Sequence, residues 1–231
     1  MEFHKPHAAK TWGEFFIEIG TIVTGILIAL ALEQGLQALH DHKVEDEARA
    51  AVRDEAAQNL YWVGVRERGE PCVRQELVEV ADLLDLADRQ APFAVAQDVS
   101  LPVHVKITTQ VWDANAQAGR TSLFSTDEQR NLGNFYFTTG ELKSFQAKEE
   151  EAWAKLGALE GRTKLSQAST DAFRVNLAEA RYYNRRVLLS VRRAHQWADI
   201  LRLKPGAAAG LPGSITTSTV FRCTRITGQA R

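Results

Sequence analysis

The residues of this chain whose types and spacing could do chemistry are few. His40-Asp41-His42 sets two imidazoles two positions apart, and on a helix that spacing points them in different directions, so the pair does not form a metal site. Cys72 falls at an expected helix start, where a thiolate would be stabilised, but no second cysteine or histidine stands near it in sequence to make it reactive. Glu18 and Glu33 sit within an otherwise apolar stretch, where carboxylates in a membrane would mark a proton or ion path, yet a single helix cannot enclose a path alone. The H-E-x-x-H, G-x-S-x-G and phosphate-loop patterns do not occur. No catalytic, cofactor-binding or metal-binding residue is therefore assigned, and the chain reads as a non-enzyme without a cofactor.

The stretch that carries the two glutamates is the most informative element. Ile19 to Leu32 is free of charge, with Glu14 and Glu18 before it and Glu33 after it. Fourteen residues cover only about 21 Å, but Phe15 to Leu36 extends to about 33 Å, enough for the roughly 30 Å hydrocarbon core. Trp12, Phe15 and Phe16 supply an interfacial aromatic anchor. A cleaved signal peptide ending near Ala29-Leu30-Ala31 and a buried core helix are the competing readings. Glu18, Thr21, Gly25, Ala29 and Glu33 recur at steps of three and four, placing polar and small residues on one helix face suited to close approach of a second helix. Expected partners are thus the lipid bilayer and either a membrane protein or another copy of the chain. A net charge of −1 argues against nucleic acid.

The expected organisation is a cytoplasmic tail over 1–11, a transmembrane helix over 12–39, a helical bundle over 40–204, and a linker with an extended tail over 205–231. The bundle side begins with a helix running from the span to about Arg66, where Gly64, Gly69 and Pro71 predict a break. A second helix is expected from Pro71 to about Arg89. Val103 to Ile107 alternates like a strand, a third helix covers Thr108 to Ala118, and a fourth opens at Ser125 or Thr126 and closes at Gly161. Phe173, Leu177, Ala180, Asn184, Val187, Val191, Ala194, Ala198 and Leu201 form a seam of a and d positions, in which Asn184 could fix register. Trp62, Trp112, Trp153 and Trp197 fall one per helix, as core residues would. The arginines from Arg174 to Arg193 and the acids Glu76, Glu79, Asp82, Asp85 and Asp88 suggest complementary faces of one bundle. Cys72 and Cys223 are an even pair that a disulfide joining the tail to the second helix would use, although two reduced thiols would leave the same count. The tail from Ser214 to Ile226 is threonine-rich and β-prone.

The run from Glu18 to Leu30, followed by Glu33-Gln34, resembles the membrane segment of a family of uncharacterised bacterial single-pass proteins. The block Trp112 to Phe124, followed by Arg130, Leu132, Phe135 and Tyr136, is similar to a second conserved stretch of that family, with Ala118 where the family has serine. The resemblance implies a short cytoplasmic tail, one span and a helical envelope domain, and it brings no activity; the layout of short tail, span and long domain is that of a signal anchor, which places the domain on the periplasmic side of a bacterial inner membrane. The expected role is an accessory or scaffolding subunit of an inner-membrane assembly, or a homo-oligomer. An envelope sensor that binds a ligand in its bundle is the alternative, followed by a tethered enzyme.

Overall fold

The computed structural model describes residues 12–95, 99 and 101–206. The expected N-terminal tail and the tail that carries Cys223 lie outside the described residues. The fold is all-α: α1 (Trp12–Asp88), α2 (Gln110–Gln117), a 3-10 turn over Arg120–Leu123, α3 (Thr126–Gly157) and α4 (Gln167–Leu201). The chain divides into two compact units, 1–48 and 49–231.

In the first unit, α1 is apolar and open. Phe15, Phe16, Ile17, Ile22, Val23, Ile26, Leu27, Ile28, Leu30, Leu32, Leu36 and Leu39 are all exposed, and no residue in its most hydrophobic stretch is buried within the chain. By length and composition it is a helix able to cross a membrane. Its two interior threonines satisfy themselves: Thr21 Oγ1 donates to the Ile17 carbonyl at 2.9 Å and Thr24 Oγ1 to the Gly20 carbonyl at 2.8 Å.

The second unit is a bundle in which α3 runs parallel to the 49–88 part of α1 while α4 runs antiparallel to both. Four contacts fix these directions. Tyr136 donates to the Val52 carbonyl and Arg66 pairs with Glu149, so numbers rise together on α1 and α3; Arg174 pairs with Asp85 while Arg53 donates to the Leu201 carbonyl, so they run oppositely on α1 and α4. Two parallel helices need a return between them, and residues 104–108 lie along it, from beside Glu150 to beside Asn59.

The predicted break at Pro71 does not occur, since α1 passes through the proline to Asp88. The reason lies in the buried face. Val52, Ala56, Asn59, Val63, Arg66, Glu70, Val73, Leu77, Val80 and Leu84 are all buried and follow at steps of three and four without a phase change, whereas Pro71 lies on the exposed side. Packing along that continuous face outweighs the one backbone hydrogen bond the proline removes. The distal core then joins Val73, Leu77, Val80, Leu83 and Leu84 to Trp153, Leu156, Leu159, Phe173 and Leu177.

The caps follow the sequence closely. Ser125 accepts from the Glu128 N–H at 3.2 Å and opens α3, Ser166 accepts from the Ser169 N–H at 3.2 Å and opens α4, and Gly119 and Gly161 adopt φ of 71° and 69° where the chain turns left-handed. All nine seam residues of α4 are buried. Beyond Leu201, Arg202 turns left-handed while the Leu203 N–H bonds back to the Ala198 carbonyl, closing the helix before Pro205.

Candidate functional site

Where α1, α3 and α4 meet, the seam turns polar. Arg66 Nη2 donates to Glu149 Oε1 and Oε2 at 2.9 and 3.1 Å, and Nη1 reaches Glu70 Oε2 at 3.5 Å. Asn184 Nδ2 lies 3.1 Å from both Glu70 Oε2 and Glu149 Oε1, bridging the two carboxylates from the opposite helix. Arg66 is fully buried, and the other three side chains are nearly so. One guanidinium thus faces two carboxylates. Burial raises the Glu149 pKa above the ordinary carboxylate value, against the opposing pull of the Arg66 charge and the Asn184 hydrogen bond. Arg66 Nε and the nearby Trp153 Nε1 are buried without a protein partner. All four side chains are buried at the meeting of three helices, so the centre holds its charges in a fixed arrangement.

A second polar layer lies lower in the bundle and builds an open cleft. Glu55, buried on α1, accepts from the Val111 and Trp112 N–H groups at 3.0 Å each and from the Thr108 hydroxyl at 3.2 Å, so its carboxylate caps α2, which has no cap from its own Thr109. One turn on, Asn59 pairs with the Thr108 backbone in both directions, at 2.7 and 3.0 Å. From α3, Gln146 does the same for Val105, at 3.0 and 3.2 Å. Val103 to Ile107 keeps the alternation expected of a strand, with Val105 and Ile107 buried and His104 and Lys106 exposed. Side-chain amides take the place of a neighbouring strand, which is why the segment is extended without belonging to a sheet. Between it and α1 opens a cleft of about 610 Å³, lined by Asp54, Gln58, Trp62, Lys106, Thr109 and Lys143 among others. Below it, Tyr136 is stacked on Trp112 with ring centroids 5.0 Å apart; burial first, then the Glu55 charge, raises the phenol pKa.

The other residues singled out in the sequence are dispersed. Glu18, Thr21, Gly25, Ala29 and Glu33 are exposed on α1, and a Cβ at Gly25 would meet no atom within 4 Å. His42 is exposed, 3.7 Å from Glu45, and no group of three metal-ligating side chains occurs among the described residues. Cys72 is disulfide-bonded, and Cys223 lies outside the described residues. Of the basic face of α4, Arg174 pairs with Asp85 and Asp88, and its hydrogen bond holds the exposed Asp85 carboxyl below its ordinary pKa; Arg181 reaches the Leu77 carbonyl instead, and Arg193 lies against Glu141 on α3. Trp153 is buried, and Trp62, Trp112 and Trp197 are half-buried.

The polar centre and the lower layer escaped the sequence reading for one reason. Their members on α1, Glu55, Asn59, Arg66 and Glu70, occupy or border the buried face, and a search for apolar periodicity passes over them. A signal was nevertheless present, because the apolar positions on either side of them stay in one phase. The chain matches no protein-family model, no curated protein and no solved structure.

Proposed function

We propose that this protein is a membrane-anchored, non-enzymatic helical protein that works through contacts, as an accessory or scaffolding subunit of an inner-membrane assembly or as a homo-oligomer. One observation carries the reading: the apolar part of α1 is wholly uncovered by the rest of the chain. Water is a costly neighbour for so long an apolar helix, at roughly 25 cal/mol per Å² of apolar surface, so lipid or another helix covers it. Thr21, Gly25 and Ala29 allow a second backbone to approach, and the internal hydrogen bond of Thr21 leaves that face free of an unsatisfied hydroxyl. In this reading the 49–206 bundle stands on the outer side of the membrane and the few residues before Trp12 on the inner side, the arrangement of an ordinary signal anchor.

Crosslinking in native membranes followed by mass spectrometry tests the proposal. The expected result is a recurrent adduct with another membrane protein or with a second copy of this chain, weakened by Gly25→Leu, which puts a branched side chain on the small-residue face. A chain that migrates as a lone monomer at every detergent level and yields no adduct would refute it.

A further inference from the structure

A cleft binds what its walls leave unsatisfied, and in the cleft of about 610 Å³ beside α1 the acids are engaged while the lysines are not. Glu55 takes the Val111 and Trp112 N–H groups and the Thr108 hydroxyl, and Asp54 Oδ2 takes the Gln58 amide at 2.9 Å. His104 lies 3.4 Å from Glu150. Lys106, from the segment before α2, and Lys143, from α3, line the same cleft, and neither has a hydrogen bond or an ion pair among the described residues. Two ammonium groups from different elements thus border the cleft with no acid set against either.

The backbone adds donors of the same kind. Lys106, Ile107 and Thr109 all line the cleft, and their N–H groups make no hydrogen bond among the described residues, although Ile107 is only 5% exposed. A backbone donor in so buried a residue takes its acceptor from water or from a ligand. Trp62 supplies an apolar wall. It is half-buried on α1, and its one ring contact among the described residues is with Tyr61, at 5.4 Å between centroids and 77° between planes, so no ring is stacked on it. Donors and cations around a free aromatic surface suit a ligand with a negative end and a flat apolar body, and the volume lies within the about 300–1,000 Å³ of small-molecule sites.

We propose that this cleft binds a small aromatic carboxylate, its charged end held by Lys106 and Lys143 and its ring laid against Trp62. Asp54 and Glu55 keep their own negative charge on the α1 side, so further charge on the ligand is repelled and a singly charged carboxylate fits better than a phosphate. The site belongs to the 49–206 bundle and stands whether or not the span of α1 pairs with a partner.

Calorimetric titration of the full chain in a neutral detergent tests this, with benzoate, phenyl phosphate, acetate and inorganic phosphate as probes and a titration into detergent alone subtracted. Benzoate should bind with a dissociation constant on the order of 1 mM or below, the range open to so small a ligand. Acetate and inorganic phosphate, which lack the ring, should bind at least about tenfold more weakly, and phenyl phosphate more weakly than benzoate. Replacing both lysines, Lys106→Gln with Lys143→Gln, should weaken benzoate by at least about tenfold and remove most of the salt dependence of its binding. Trp62→Leu should bring benzoate down to the level of acetate. Both lysines are exposed, so the double variant should melt with its parent, showing that the bundle is intact. The proposal is overturned if benzoate does not bind below about 10 mM, if the intact double variant binds it as tightly as the parent, or if acetate or phenyl phosphate matches it.

Discussion

Replacing Arg66 by methionine tests whether the polar centre holds the bundle or merely occupies it. The side chain is fully buried and its two terminal nitrogens serve three carboxylate oxygens, on Glu70 of its own helix and Glu149 of α3. Methionine fills much of the volume but leaves two buried carboxylates that approach the same Asn184 nitrogen, each at 3.1 Å. Breaking a buried pair by removing one partner costs about 3–5 kcal/mol. At about 2–4 °C per kcal/mol for a domain of this size, the melting temperature should fall by about 6–20 °C. The pH dependence provides a second readout with a definite sign. Glu149 is already raised in the folded protein by burial, and the loss of Arg66 removes the charge that opposes that rise. A carboxyl with a raised folded pKa contributes stability that is complete below its unfolded value and is lost as pH rises through the folded one. The variant should therefore lose less stability at pH 5 than at pH 8. Thermal and urea unfolding of the full chain in detergent, followed by tryptophan fluorescence and circular dichroism at both pH values, measures this. A loss below about 1 kcal/mol, or the same loss at both pH values, would refute the reasoning.

Three further outcomes follow from the same geometry. Asn184→Leu makes the α4 seam uniformly apolar, yet it should destabilise by about 1–3 kcal/mol, because the two carboxylates lose their shared donor; a gain in urea midpoint would show that the asparagine is a tolerated defect. Glu55→Ala leaves the Val111 and Trp112 N–H groups without their cap and should cost about 1–3 kcal/mol, with faster hydrogen exchange confined to α2 and the segment before it. Reduction of the Cys72 disulfide should lower the urea midpoint, by an amount on the order of 4–5 kcal/mol if it closes the loop of about 150 residues to Cys223; equal midpoints with and without reductant would count against that pairing.

Much of the architecture could be read from local chemistry. Ser125, Gly119 and Gly161 mark their turns because capping and left-handed geometry are properties of single residues and their near neighbours. The α4 seam was legible for a similar reason, since all its members but Asn184 are apolar. Pro71 misled because its local preference is opposed by contacts with α3 and α4, which a one-dimensional reading cannot weigh. The return segment was visible as an alternation at Val103 to Ile107, but not its means of support, because Asn59 and Gln146 stand 49 and 41 positions away from the residues they pair with. The centre at Arg66 is the extreme case: its partners come from three helices and none is remarkable in its own surroundings.

These polar layers answer a problem the apolar seams leave open. A heptad seam packs nearly as well after a slip of seven residues, and both α1 and α4 carry long seams of similar small and branched residues, so apolar contact alone leaves the register of the bundle weakly specified. A slip that kept Val and Ala facing Val and Ala would move Asn184 away from Glu70 and Glu149 and leave Arg66 opposite an apolar side chain. The same slip on α3 would carry Gln146 past Val105 and strip the return segment of its support on that side. Each layer ties α1 to a different part of the chain, the centre at Arg66 to α3 and α4, and Glu55 with Asn59 to the segment leading into α2. Removing either layer should therefore loosen register before it loosens helicity, whereas trimming a seam valine should lower stability without changing which residues face one another.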